Sequence, residues 1–402
     1  MASLVNRRSL VWALVLVPLL SYLGGRIRIL SLGYYNAPGR MPLHSNFSSY
    51  EIKFQDKIRN CEDVLLLKDR PVALLACDPG RDNWNTVMGD FPEDVEIDPN
   101  AGLYAYNYQQ AGDKALSRFK LLGYDDELRT IGVEFHEPSS TLLATNHLRR
   151  GGPRIEQFHL DFNAMTATHM RTICHPLINS PNAIAASSAD EFFVTNQHLF
   201  VPAKNRLLWL LETYLGPPLG RVVHVRILPS GEIDAAVSVR QAYPNGITFF
   251  GEDESRVAVA SSNKALVYIY KVIKRGKNTH PPLELENTIR NLPYMPDNVG
   301  TSTDGALIIA GHPNLRKLGQ FASSRKLCHR PKALAKASQA TKELCRNLQA
   351  ASWVSEWSEK DGLSHVYSGW EYPTSATAVH DRARGVGIIA GLYARGIFVW
   401  RD

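Results

Sequence analysis

For most of its length the chain alternates short apolar runs with polar turns, and the runs are too short and too often interrupted for helices. Aligned, they repeat one pattern six times. EDVLLLKDRPVALLAC opens at Glu62, IGVEFHEPSSTLLATNH at Ile131, and NAIAASSADEFFVTNQH at Asn182. NGITFFGEDESRVAVASSN opens at Asn245, NVGTSTDGALIIAGH at Asn298, and SATAVHDRARGVGIIAGLY at Ser375. Each copy reads as a short strand, a polar turn, and an apolar strand ending in small or polar residues. Further strand candidates lie between the copies, among them AGLYAYNY, RIEQFHLDF, RVVHVRI, LVYIYKV and GIFVW. Recurrence about every 50 to 75 residues predicts an all-β chain, a six-bladed β-propeller with four strands to the blade. A two-sheet sandwich has no need of one hairpin six times. Helical periodicity is confined to the N-terminus and to the stretch after Pro331.

The N-terminus adds a separate element. Arg7 and Arg8 precede an uncharged, mostly apolar run, SLVWALVLVPLLSYLGG, from Ser9 to Gly25. It is a little short for a full span of ~20 residues and fits a signal region or a short signal anchor. Tyr22 and Leu23 crowd the cleavage position before Gly24, which favours an uncleaved N-terminal hydrophobic helix. Arginines on both sides leave its orientation open. The expected organisation is a signal or anchor segment with linker over 1–45 and the propeller over 46–402. This implies the secretory pathway, with the protein either secreted or membrane-anchored through residues 9–25. Asn46-Phe47-Ser48 is then a glycosylation sequon.

Composition narrows the class. The 402 residues are 44% apolar, as in a globular protein. Net charge is +6, concentrated at Arg7, Arg8, Arg26, Arg28 and between Arg325 and Arg346. That last run, RKLCHRPKALAKASQATKELCR, contains no aromatic residue, which argues against a nucleic-acid partner and for a solvated helix. The five cysteines (61, 77, 174, 328 and 345) form neither a CxxC pair nor a regular disulfide framework. Cys61 could face Cys77 across the first hairpin, and Cys328 and Cys345 could close a local loop. Buried thiols are the alternative.

Ring closure would give the openings of the repeats a chemistry. The first strand of each blade lines the central channel, so its opening residue points to the axis. Glu62, Asn182, Asn245, the pair Asp297-Asn298 and, weakly, Ser375 then present oxygen there. Two carboxylates and three amides are hard ligands suited to calcium, which takes six to eight oxygens. Sulfur and imidazole, which would suit zinc, do not recur. Taken singly, each Asn is an ordinary turn former. A second Glu-Asp pair, Glu93-Asp94 in FPEDVEID, lies between Pro92 and Pro99 with no hairpin after it and reads as a surface loop.

These segments, in this order, resemble the serum paraoxonase/arylesterase family of calcium-dependent lactonases, in a divergent, microbial-type form. The likeness runs from about Ser48 to the C-terminus and is carried by CEDVLLL, ATNH, HPLINSPNAI, TNQHLF, YPNGITF, PDNVGTSTDG, AGHPN and GLYARGIFVW. The resemblance implies a propeller with two axial calcium ions. The catalytic ion would fall to Glu62, Asn182, Asn245, Asp297 and Asn298. The deeper, structural ion would fall to Asp63, a carbonyl near Val133, and a position where this chain has Ala183 in place of an acid. One member of the family's histidine dyad matches His147. The other falls at Ile131, which moves no proton. The family's axis-facing histidine positions match His198 and His312. Its ring-closing disulfide has no counterpart, Trp400 standing at the C-terminal position, so SSYEIKF would have to pair with RGIFVW.

The implied activity is calcium-dependent hydrolysis of lactones or aryl esters. The missing dyad partner keeps open a metal-assisted cyclase or isomerase on the same propeller. A non-catalytic, membrane-tethered propeller with a protein-binding rim is the third reading. Insertions after Cys77, Lys204 and Leu315 are where this chain departs most from the family pattern.

Overall fold

Blade by blade, the computed structural model realises the repeat. It describes residues 7–402 apart from 93–97, 99, 252–253, 274–275 and 277–278, and the side chains of residues 7–15, 18, 19 and 331 are also outside the description. Glu93 and Asp94 therefore lie outside the described residues. The six inner hairpins are Cys61–Leu66 with Val72–Cys77, Thr130–His136 with Thr141–Leu148, and Pro181–Ala186 with Glu191–Asn196, followed by Pro244–Phe250 with Arg256–Ser261, Met295–Thr301 with Leu307–His312, and Ser375–Asp381 with Val386–Gly391. Each belongs to its own sheet of four or five strands. Neighbouring inner strands touch all the way round, and the sixth returns to the first. Apolar clusters fill the space between adjacent blades, such as Leu74, Phe119, Leu142 and Phe158 between blades 1 and 2. The sheets are thus buried on both faces, which is why their strands read as continuous apolar runs rather than alternating ones.

No disulfide joins the chain ends. Ser49–Lys53 pairs antiparallel with Ile397–Arg401, in the register Tyr50 to Trp400 and Ile52 to Phe398, and supplies the outer strand of blade 6. Phe47 and Ile52 pack against Phe398 and Trp400, and Tyr50 stacks on Phe398 at 4.6 Å. The expected pairing of SSYEIKF with RGIFVW is the closure observed.

Every inner strand carries a β-bulge in its opening turn. Register slips at Cys61/Asp63, Thr130/Val133, Pro181/Ile184, Pro244/Ile247, Pro296/Val299 and Ser375/Thr377. A bulge adds one residue to one strand and re-aims its side chain. The residues inside the slips are Glu62, Ile131-Gly132, Asn182-Ala183, Asn245-Gly246, Asp297-Asn298 and Ala376. Two bulges satisfy a freed N–H through the threonine opposite: Gly132 N donates to Thr145 Oγ1 and Ala183 N to Thr195 Oγ1.

Helices cover the same end of the ring. α1 (Arg7–Tyr35) runs well past the expected segment end at Gly25. Its second half is docked: Arg26 donates to Asn263 O, Arg28 to Leu292 O, and Leu32 is buried against Ala265 and Met295. No helix among the described residues is long and apolar enough to cross a membrane. α2 (Arg206–Leu215), capped by Asn205, lies in the insertion after Lys204. α3 (Leu315–Cys328), α4 (Pro331–Lys336) and α5 (Gln339–Asn347) fill the insertion after Leu315. The basic run is therefore not one solvated helix. Arg325 is buried on α3, its guanidinium 3.5 Å from the centre of the Tyr393 ring. Of the two readings of the cysteines, pairing is the one the structure has. Cys61 bonds to Cys77, Cys328 bonds to Cys345, and Cys174 is free and exposed. Each pair is closed by local backbone geometry, which a count of cysteines does not convey.

Candidate functional site

The bulges bring oxygens from different blades into hydrogen-bond contact. Asn245 Nδ2 donates to Asp297 Oδ1 at 2.5 Å, linking blades 4 and 5. Asn298 Nδ2 donates to Glu62 Oε1 at 3.0 Å, linking blades 5 and 1. Thr377 Oγ1, on blade 6, donates to Glu62 O at 2.8 Å. Asn182, on blade 3, turns its Nδ2 to Gln197 Oε1 rather than to the others. With the amide nitrogens turned to acceptors, the opposite oxygens are left over. Glu62 Oε2, Asn182 Oδ1, Asn245 Oδ1 and Asn298 Oδ1 are all buried and none has a hydrogen-bond donor. A buried unsatisfied acceptor costs about 1–3 kcal/mol, and four of them within the strand-opening bulges call for a partner.

Glycine sets how closely the blades approach here. A Cβ on Gly246 would lie 2.5 Å from the Cα of Asn298, and one on Gly132 would lie 2.1 Å from Asn182 O. These two glycines, each directly after a strand-opening position, let adjacent inner strands meet at the oxygens. Sequence reasoning passed over them, although their place in the repeat was the available signal.

Electrostatics points the same way. Glu62 is 1% exposed, and burial, then the charges of Asp297 and Asp63, push its carboxyl well above the ordinary carboxylate range. A bound cation would favour its ionised form. Asp63 faces elsewhere: its oxygens accept from Val64 N and Val133 N, each at 2.9 Å. Burial still raises it to about 7.

The three histidines separate by their partners. His312 Nε2 meets Asp297 Oδ2 at 2.9 Å, so it belongs to the oxygen cluster. His147 is buried and places Nε2 2.6 Å from Pro181 O, in the residue before Asn182. That contact makes Nε2 the donor and leaves Nδ1 with the lone pair. Burial lowers His147 to about 4 against the pull of the Pro181 bond, with Arg81 adding to the fall. His198 instead bonds Thr213 of α2 at 2.8 Å and is lowered to about 3 by burial, so it fixes the helix to the blade. Ile131 sits buried in its bulge beside this cluster.

One cation at the site was missed in the sequence. Arg81, in the turn after the second strand of blade 1, is 3% exposed. Its guanidinium donates to the backbone oxygens of Asn60, Leu392 and Thr130, tying blades 1, 6 and 2 together where their hairpins open. The segment that follows forms a roof with α3. Val87 and Met88 pack on Leu318 and Phe321, Lys326 pairs with Asp90 at 2.6 Å, and His329 meets Asp82 at 3.1 Å.

A sequence profile of the family described as Arylesterase matches residues 130–328. The serum paraoxonase/arylesterase 1 of Mus musculus is 29% identical over 262 residues, covering 58% of this chain and 70% of that protein. The serum paraoxonase/arylesterase 2 of Gallus gallus is 28% identical over 178 residues, 44% of this chain and 46% of its own length. The serum paraoxonase/lactonase 3 of Rattus norvegicus is 28% identical over 206 residues, 49% and 52% of the two chains. The match thus spans about half the length of the last two relatives. A periplasmic gluconolactonase of Pseudomonas aeruginosa superposes with a TM-score of 0.43 at 9% identity, over 82% of this chain and 77% of that one.

Proposed function

We propose that this chain, as a divergent member of the paraoxonase/arylesterase family, hydrolyses lactones or aryl esters with the help of one calcium ion held at the axial oxygens. The observation that carries the reading is the set of four donorless buried oxygens, each in or beside a bulge. Glu62, Asn182, Asn245, Asp297 and Asn298 would hold the ion, and their all-oxygen, two-carboxylate character fits a hard divalent cation. When bound, calcium polarises an ester carbonyl and stabilises negative charge developing on its oxygen.

The chain's own residues do the rest. His312 orients Asp297 through their 2.9 Å contact. His147 offers Nδ1 as the proton acceptor for water, since Pro181 O holds its Nε2 proton. Ile131 offers no relay, so His147 acts without a dyad partner. The roof keeps the oxygens dry, with Glu62, Asn182, Asn245, Asp297 and Asn298 all buried. The second ion of the family does not fit here. Asp63 already accepts a backbone N–H at each oxygen, and Ala183 brings no side-chain oxygen where the family has an acid.

Metal analysis of the purified protein is expected to return one calcium per chain. Exhaustive chelation is expected to remove turnover of a lactone and aryl ester panel, and calcium to restore it. Full turnover after chelation would end the reading.

The pH profile is a second check. His147 is competent while neutral, and its lowered value near 4 places protonation well below that of an ordinary imidazole. At saturating calcium, kcat/KM is expected to stay level from neutral pH down to about 5, a unit above that value. An acid limb centred near an ordinary imidazole value of ~6.5 would remove His147 from the role.

Secretion is supported by two disulfides, which persist in oxidising compartments, and by the word serum in the relatives' names. Asn46 is exposed, as a glycosylation site must be. The membrane contact is read as lying on a lipid surface. Leu16, Leu20, Leu23, Ile27 and Leu30 form one exposed stripe along α1, beside exposed Leu211, Tyr214 and Leu215 of α2. Co-sedimentation of the full chain with phosphatidylcholine vesicles is expected, and Leu20→Glu with Ile27→Glu should abolish it. Equal sedimentation of the double variant would disprove the contact.

A further inference from the structure

On the rim between blades 3 and 4, two imidazoles meet through the same ring nitrogen. His224, on the third strand of blade 3 (Gly220–Ile227), places Nδ1 2.9 Å from Nδ1 of His280, in the connection before the outer strand of blade 4 (Leu283–Ile289). Behind each ring stands a carboxylate. His224 Nε2 lies 3.1 Å from Glu191 Oε1, and His280 Nε2 lies 3.0 Å from Asp234 Oδ1. Arg226 completes the group 3.6 Å from Asp234.

Counting protons exposes a deficit. Each Nε2 needs a hydrogen to meet its carboxylate, and one hydrogen must lie between the two Nδ1 atoms. That makes three, while two neutral imidazoles carry two. Supplying the third would charge a ring pair of which His224 is only 2% exposed. A metal ion at the Nδ1 contact removes the deficit. One proton moves from Nδ1 to Nε2, both Nε2 atoms then donate to carboxylates, and both Nδ1 lone pairs face the ion. Nothing is oxidised or reduced. A ligating histidine backed by a carboxylate is the usual support of a metal site.

The geometry points to a second metal site in this protein, on His224 and His280, for a divalent transition ion of the copper or nickel type. With metal–nitrogen bonds of roughly 2.0–2.1 Å, nitrogens 2.9 Å apart subtend about 90° at the ion. A right angle is that of neighbouring ligands in tetragonal or octahedral sites, and among divalent first-row ions copper binds nitrogen most tightly. Among the described residues no three His, Cys, Asp or Glu side chains converge on a metal position, so water completes the shell. The site is independent of the axial oxygens, which suit a hard cation instead.

The test uses the full chain, chelated, reloaded with calcium and titrated with Cu²⁺. One equivalent is expected to bind, with a tetragonal electron paramagnetic resonance spectrum split by two nitrogens. His224→Asn and His280→Asn should each abolish that signal while calcium content stays at the wild-type level. Should either variant fail to fold, Asp234→Asn, which lies behind a ligand, is expected to weaken copper about 10-fold or more. No stoichiometric uptake, or an unchanged spectrum in the histidine variants, overturns the site. So does copper affinity in Asp234→Asn equal to wild type.

Discussion

The Glu62→Gln protein is expected to purify without calcium and to hydrolyse esters or lactones at about one-thousandth of the wild-type rate or less. Glutamine keeps the shape of the side chain, and its carbonyl still accepts from Asn298 Nδ2, the 3.0 Å bond that Glu62 accepts. What disappears is one of the two carboxylates that neutralise a divalent ion. In the metal-free wild type this group is crowded by burial and by the charges of Asp297 and Asp63, which is why its carboxyl resists ionisation. Bound calcium relieves that crowding, so the wild type should gain thermal stability on adding calcium. The variant should melt like the chelated wild type and gain nothing. This pattern separates loss of the ion from loss of the fold. Calcium binding by Glu62→Gln with wild-type affinity would contradict the ligand assignment. Asn245→Ala should follow the same course, since its Oδ1 is among the donorless oxygens and its Nδ2 positions Asp297.

Trp400→Ala is expected to cost about 3–5 kcal/mol and to lower the unfolding midpoint by roughly 5 °C or more. Trp400 is fully buried in the last strand, which pairs with Ser49–Lys53 at the ring closure. Its ring lies over Gly387, where an added Cβ would sit 1.8 Å from the indole. It also stacks with Phe47 at 6.1 Å and meets His380 at 5.1 Å. The alanine void would loosen the N-terminal strand, so hydrogen exchange should rise first over residues 49–53. Trp400 Nε1 has no hydrogen-bond partner, so Trp400→Phe should cost far less. A stable Trp400→Ala protein with a protected 49–53 strand would mean that closure rests elsewhere. Because this defect is at the seam, calcium should not restore the lost exchange protection.

Much of the fold was legible because a blade hairpin is local. Apolar runs, turn residues and their spacing all sit within about twenty residues, so six copies announce six blades. The oxygen-bearing residues could be picked out for the same reason, since they stand at the openings of the repeats. Even the seam could be read, because SSYEIKF and RGIFVW are complementary strands at the two ends. The helices of the roof were less visible. Their apolar residues face non-local partners, as Leu318 and Phe321 do against Val87 and Met88, and a search for strand patterns skips them.

Sequence alone determined the class of architecture and the residue types at its axis, because both follow from a short pattern repeated in register. Tertiary structure decided what each of those residues touches. His312 meets Asp297 while His198, one position later in its own repeat, meets Thr213 of α2. Asp63 turns to Val133 on the next blade, Arg81 ties three blades, and His224 finds His280 across the gap between two sheets. Those partners are set by where bulges aim side chains and by how closely neighbouring blades pack, quantities that arise only when distant segments share one ring.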